Sequence, residues 1–350
     1  MAVRPWSPAP SVSVSYERSL KAYLHTRGLP APRADPDDAC ACPAARVDGR
    51  AFGDELAHSG HVLGDVTTGL SFGLRVGGAG FGLLGVAAAT APTLRDSVRQ
   101  LQRFESLTST LGHMTVRPHG HHLVSLCWQP ADPDTPPAVA EAILAGWVSF
   151  GRYLLDERVD VVGVGFAHRA PASVSAYEAA LQSPVRFGVG LNSVTLAANL
   201  LDAKPRFAEP TISEALDDWL DRCTLGVATP PQRQPTARRV AQVLAGRMAL
   251  AQANEESVAT VMQLSRRTLQ RRLTEEGSSF RALLDAARAQ HAIVGVLRGG
   301  VSLSQLGAEI GFDEQSSLCR AFRRWTGFAP LAVKSRLQPM YSELRSVPMT

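Results

Sequence analysis

Residues 256–276 read ESVATVMQLSRRTLQRRLTEE, and the spacing inside this stretch decides the fold of the C-terminal third. Val258, Ala259 and Met262 fall on the apolar side of one short helix. Leu264 and Ser265 then supply a turn and an N-cap, because a serine oxygen accepts from the free amides that open the next helix. In that helix Leu269 and Leu273 lie four apart on one face. At about 100° per residue, Arg267, Gln270, Arg271 and Thr274 lie on the opposite face. Two short helices, a tight turn and an arginine-bearing outer face are what a reader of the DNA major groove requires.

The arrangement recurs further on. Leu303, Leu306 and Ile310 mark a short helix, and Gly311 stands where a left-handed residue is needed. Phe312 follows, then Asp313 as a predicted N-cap, then a helix over Glu314–Thr326 that places Leu318, Phe322 and Trp325 along one stripe. Ser316, Arg320 and Arg323 lie on its other side, and Gly327 stops it. Between the two units Ser279–Leu297 carries Phe280, Leu283, Leu284, Ala287, His291 and Val294 at helical spacing. A helix of about 20 residues spans roughly 30 Å, close to the roughly 34 Å of one turn of B-DNA. Two recognition helices held that far apart would enter successive major grooves on one face of the duplex.

Charge divides the chain in the same place. Residues 1–232 hold 19 Lys/Arg and 23 Asp/Glu, whereas residues 233–350 hold 17 against 9, and 16 of those 17 are arginine. A basic, arginine-rich third beside an acidic remainder suits a polyanion-binding domain joined to something else. The proline-rich stretch Ala228–Thr236 reads as a linker. The expected division is therefore residues 1–227, a linker at 228–236, and a second domain at 237–340. Residues 28–45 read as an irregular connection, and Gln129–Pro137 as a surface loop.

The first domain mixes both periodicities. Thr93–Leu107 places Leu94, Val98, Leu101 and Phe104 at helical spacing, and Pro137–Leu155 predicts another helix. Met114–Pro118, His122–Trp128 and Val159–Phe166 read as strands. The expected fold is a mixed α/β N-terminal domain plus an all-α C-terminal domain with two helix-turn-helix units joined by a long helix. Apolar runs such as Leu83–Ala89 stop short of the roughly 20 residues of a membrane span. The start, MAVRPWSPAP, has no signal-type apolar run. Five scattered cysteines (Cys40, Cys42, Cys127, Cys223, Cys319) argue against a disulfide framework. A cytoplasmic, reducing location is the expectation.

On these residues the segment from about Ala237 to Leu337 resembles the DNA-binding domain of the AraC/XylS family of bacterial regulators. The resemblance is carried by Leu264–Leu273 (LSRRTLQRRL), Ile310–Leu318 (IGFDEQSSL), Arg320–Gly327 (RAFRRWTG) and Pro330. It implies base contacts from Arg267, Gln270 and Arg271 in the first unit, and from Gln315, Ser316 and Arg320 in the second. Two positions depart from the family pattern. Gln263 stands in the turn where glycine is usual, which strains a left-handed residue. Gly307 stands where alanine usually packs, at a cost of about 0.5–1 kcal/mol in a helix.

The first domain resembles the arabinose-binding-type sensing domain of the same family at Gly73-Leu74-Arg75-Val76-Gly77, Ala91-Pro92-Thr93-Leu94, Val185-Arg186-Phe187-Gly188 and Asn192. That resemblance implies a small organic effector and a homodimer. It also implies double-stranded DNA as a partner, with RNA polymerase as the partner an activator would address.

Other signals point elsewhere. Gly80-Phe81-Gly82-Leu83-Leu84-Gly85 fits GxGxxG, but a dinucleotide site also wants an acid about 20 residues on, at the end of a second strand. Glu105 has the distance and lies in a helical pattern, so a glycine-rich loop entering the core is the simpler reading. His113, His119, His121 and His122 invite a metal, but His119-Gly120-His121 between two strands reads more simply as a hairpin tip. No serine or histidine spacing makes a triad. No cofactor, metal or catalytic residue is assigned, and an enzyme is not expected. The alternative is an enzyme or small-molecule-binding protein built on the N-terminal domain, with the helical tail as an interaction module. Salt-dependent retention on DNA separates the two.

Overall fold

The computed structural model describes residues 10–30, 46–155, 159–171, 173–224, 236–246 and 250–345. The expected linker, apart from Thr236, and most of the connection at 28–45 lie outside the described residues.

The N-terminal unit begins with β1 (Ser11–Ser13), antiparallel to β2 (Arg46–Asp48). Helices α1 (Val14–Thr26) and α2 (Gly49–Leu63) start on Ser13 and Asp48, whose side chains accept from amides of the first turn. Then come α3 (Thr68–Gly80), α4 (Gly82–Thr90), α5 (Leu94–Arg103) and α6 (Glu105–Thr108). The helix expected over Thr93–Leu107 thus breaks at Phe104. Leu94, Val98, Leu101 and Phe104 are nevertheless all buried.

The GxGxxG stretch joins two helices, α3 and α4, so its glycines do not form the loop into the core that the sequence suggested. Earlier in α3, packing overrides glycine's poor helix propensity. A Cβ on Gly69 or Gly73 would overlap the backbone of Ala138 or Ala142, so glycine lets α3 lie directly on the helix it faces.

That helix is α7 (Pro137–Leu155), bounded as the periodicity predicts. Among the described residues α7 alone is long and apolar enough to cross a membrane, with mean hydropathy 1.2. Here Val139, Leu144, Phe150 and Leu154 are buried between α3 and the main sheet.

The main sheet has five strands in the order β3-β4-β7-β5-β6. β3 (Gly112–His119) and β4 (Leu123–Pro130) form a hairpin whose tip is Gly120–His122. β7 (Asn192–Ala197) pairs antiparallel with β4 and with β5 (Val161–Phe166). β6 (Val185–Phe187) runs parallel to β5, which requires the crossover through α8 (Val174–Leu181). Helix α9 (Pro210–Thr224) closes the unit.

The remainder of the described residues forms helices joined by turns: α10 (Thr236–Gly246), α11 (Glu255–Val261), α12 (Arg266–Glu275), α13 (Phe280–Arg298), α14 (Leu303–Glu309), α15 (Gln315–Thr326) and α16 (Pro330–Arg345). α9 packs on α4 and also on α13 and α15, while α16 touches α3, so the two units meet directly.

Candidate DNA-binding surface

Each of the first three helices in the tandem repeat opens on a side-chain cap. Asn254 and Ser302 form capping boxes with Ser257 and Gln305, and Ser265 accepts from the Thr268 amide at 3.1 Å. α15 departs from this. Its N-cap is Glu314 rather than Asp313, the helix begins at Gln315, and no side chain caps it. The Glu314 carboxylate accepts instead from the Ser316 hydroxyl at 2.9 Å.

Apolar faces turn inward as the spacing predicts. Val258, Ala259, Met262, Leu269 and Leu273 are buried in the first unit, and Leu306, Ile310, Leu318 and Phe322 in the second. Trp325 is only partly buried and meets Phe312 edge-on, with ring centroids 6.1 Å apart. α13 follows the predicted stripe only in its first half. Beyond Arg288 it is buried nearly all round, at Ala289, Ala292, Ile293, Val296 and Leu297, because α10, α14, α15 and α16 all pack on it.

The turns have distinct solutions. Gln263 takes φ 57°, the strained left-handed position expected of it. Gly311 takes φ 84°, and a Cβ there would also press on Arg288 Nη2 and on Ala251. Arg288 stacks over Phe312, 5.5 Å from the ring centre, and burial lowers its basicity.

All six expected contact residues are exposed. In the first unit Arg267 makes no side-chain hydrogen bond or ion pair with the described residues. Gln270 donates to Glu255 Oε2 at 2.7 Å, and Arg271 pairs with Glu275 at 3.1 Å. In the second unit Gln315 is open, and Arg320 donates to Ser317 at 3.2 Å. A groove of about 520 Å³ runs along α15, lined by Gln315, Arg320, Arg323 and Arg324 among others.

Sequence reasoning missed Glu255. From the start of α11 it holds both Arg266, at 2.7 Å, and Gln270. No i, i+4 signal reveals a partner 11 or 15 positions away.

The N-terminal unit contains a cavity of about 60 Å³ between α3, α7 and the main sheet, walled by Tyr16, Phe81, Met114, Trp128 and Trp147 among others. Glu105 lines it. Its Oε2 accepts from the Met114 amide at 2.7 Å, yet burial raises the carboxyl to about 7. A second buried carboxyl, Glu141, is likewise raised to about 7 by burial. It accepts from the Tyr177 hydroxyl at 2.8 Å and faces His168 Nε2 at 3.5 Å. Among the described residues no three His, Cys, Asp or Glu side chains are grouped to hold a metal.

Residues 32–205 match the family model described as the arabinose-binding domain of AraC transcription regulator, N-terminal, and residues 258–336 match a helix-turn-helix domain. The HTH-type transcriptional regulator VirS of Mycobacterium tuberculosis is 27% identical over 270 residues, 74% of this chain and 77% of its own. The ornithine utilization regulator of Pseudomonas aeruginosa is 24% identical over 283 residues, 79% and 81% of the two chains. The crystal structure of transcriptional regulator CdpR from Pseudomonas aeruginosa aligns over 96% of this chain and 100% of that chain. Its TM-score is 0.45 and its identity 22%.

Proposed function

Given that the chain belongs to the AraC family of helix-turn-helix transcriptional regulators, we propose that it reads a specific DNA site through two successive major grooves under the control of a small organic effector. Arg267, Gln270 and Arg271 serve one groove; Gln315, Ser316 and Arg320 serve the other. Arginine suits a guanine edge and glutamine an adenine edge. The observation that carries the reading is the pair of exposed arginine-bearing helices, α12 and α15, bridged by the 19 residues of α13. At 1.5 Å per residue that bridge is about 28 Å long.

The effector domain is residues 1–227, the linker 228–236 and the DNA-binding domain 237–340. The effector occupies the cavity beside Glu105. Its wall includes α3, and α3 touches α16, so a ligand that favours one setting of α3 biases how the DNA-binding unit is held. The protein works as a homodimer, addresses RNA polymerase as an activator, acts in the cytoplasm and catalyses no reaction.

Selection of bound duplexes from a random pool, followed by footprinting of the full chain, tests this. The expected result is one preferred site with two protected stretches about one helical turn apart. Retention without sequence preference, or protection confined to one groove, overturns it.

A further inference from the structure

We infer that the cavity under α3 and α7 takes a small organic cation, an ammonium group held against Glu105 with its carbon chain among the aromatic rings. The inference rests on the reading of this cavity as the effector site. Its lining contains no lysine, arginine or histidine, and Glu105 is its one carboxylate. The Met114 amide fixes one carboxylate oxygen, which sets the direction of the group, while the other has no hydrogen-bond partner among the described residues.

Tyr16, Phe81, Trp128 and Trp147 contribute rings from four separate parts of the chain. Aromatic faces beside a carboxylate attract a cation by both the ring quadrupole and direct charge. An anion entering the same space would meet no positive group. A cavity of about 150 Å³ holds benzene. At about 60 Å³ this one accepts a charged head and one or two carbons.

In the empty protein burial holds Glu105 near 7. An arriving cation stabilises the carboxylate, so binding releases a proton wherever Glu105 was protonated.

The test is titration of the full chain with ethylammonium, acetate and ethanol, followed by tryptophan fluorescence and thermal shift from pH 6 to 8. Only the ammonium is expected to bind saturably. Its affinity should rise towards tenfold per pH unit below about 7 and level off above. Glu105→Gln, which keeps an acceptor for Met114, should lose at least about tenfold in affinity at pH 8, and Trp147→Leu severalfold. Acetate or ethanol binding as well as the ammonium, or Glu105→Gln binding it undiminished, overturns the cation class and leaves the cavity as the effector site. Binding as expected with no change in DNA affinity retains the class and removes the effector reading. No binding by any of the three overturns both.

Discussion

The Tyr153 hydroxyl donates to the Met340 carbonyl at 3.1 Å, tying α7 of the N-terminal unit to α16 near the other end of the chain. Arg336 and Glu209 pair at 3.0 Å across the same junction, and α9 lies between α4 and the α13–α15 face. The two units are thus joined by these polar bonds, by α9 and by the packing of α16 on α3.

Tyr153→Phe combined with Arg336→Ala removes these two polar links. The hydrogen bond is worth about 0.5–1.5 kcal/mol, and the exposed ion pair about 1 kcal/mol or less. Calorimetry is expected to resolve the single transition of the parent chain into two, with the helical unit melting first. One unchanged transition would show that the packing of α9, and of α16 on α3, is enough to couple the units.

Arg271→Ala and Arg320→Ala should each weaken specific binding by about 1–3 kcal/mol if each arginine reads a guanine edge. Their footprints should lose protection at positions about one helical turn apart. Loss at the same base pairs in both variants would contradict the two-groove geometry.

Gln263 and Gly307 offer stabilising changes in opposite directions. Gln263 sits at φ 57°, where glycine carries no Cβ penalty, so Gln263→Gly should stabilise the helical unit by about 1 kcal/mol. At Gly307 a new Cβ would come no closer than 3.6 Å to the Phe312 carbonyl oxygen and 3.7 Å to Leu318, which is ordinary contact. Gly307→Ala should therefore gain about 0.5–1 kcal/mol in urea unfolding. A loss at either position would mean that the neighbouring turn depends on the present residue.

Glu141 makes stability depend on pH. Its folded carboxyl titrates near 7 against 4.5 for the ordinary group, so the native state holds the extra proton between those values. Stability should fall as pH rises from about 4.5 to about 7 and then stop falling on this account. Glu141→Gln keeps an acceptor for Tyr177 and cannot ionise. The variant should gain on the order of 2 kcal/mol over the parent at pH 8 relative to pH 5. Parallel stability curves in urea at the two pH values would sink the assignment.

The helix-turn-helix units were legible because their determinants are local. A cap contacts a residue three positions on, and an apolar stripe repeats within one turn, so Ser265, Leu269 and Leu318 declare their roles in sequence. Pro137–Leu155 and the β3–β4 hairpin were readable for the same reason. The close approach of α3 to α7 at Gly69 and Gly73 was not legible, because it depends on Ala138 and Ala142, far along the chain and absent from the local pattern.

Sequence alone determined the tandem repeat, the outward arginines and the charge asymmetry. Tertiary structure alone decided the strand order, the hold of Glu255 on Gln270, and the cavity that gathers Tyr16, Glu105, Trp128 and Trp147. These features depend on which distant segments pack together. Such pairings follow from burial and shape complementarity over the whole chain, whereas caps and helical faces follow from bonds within a few residues.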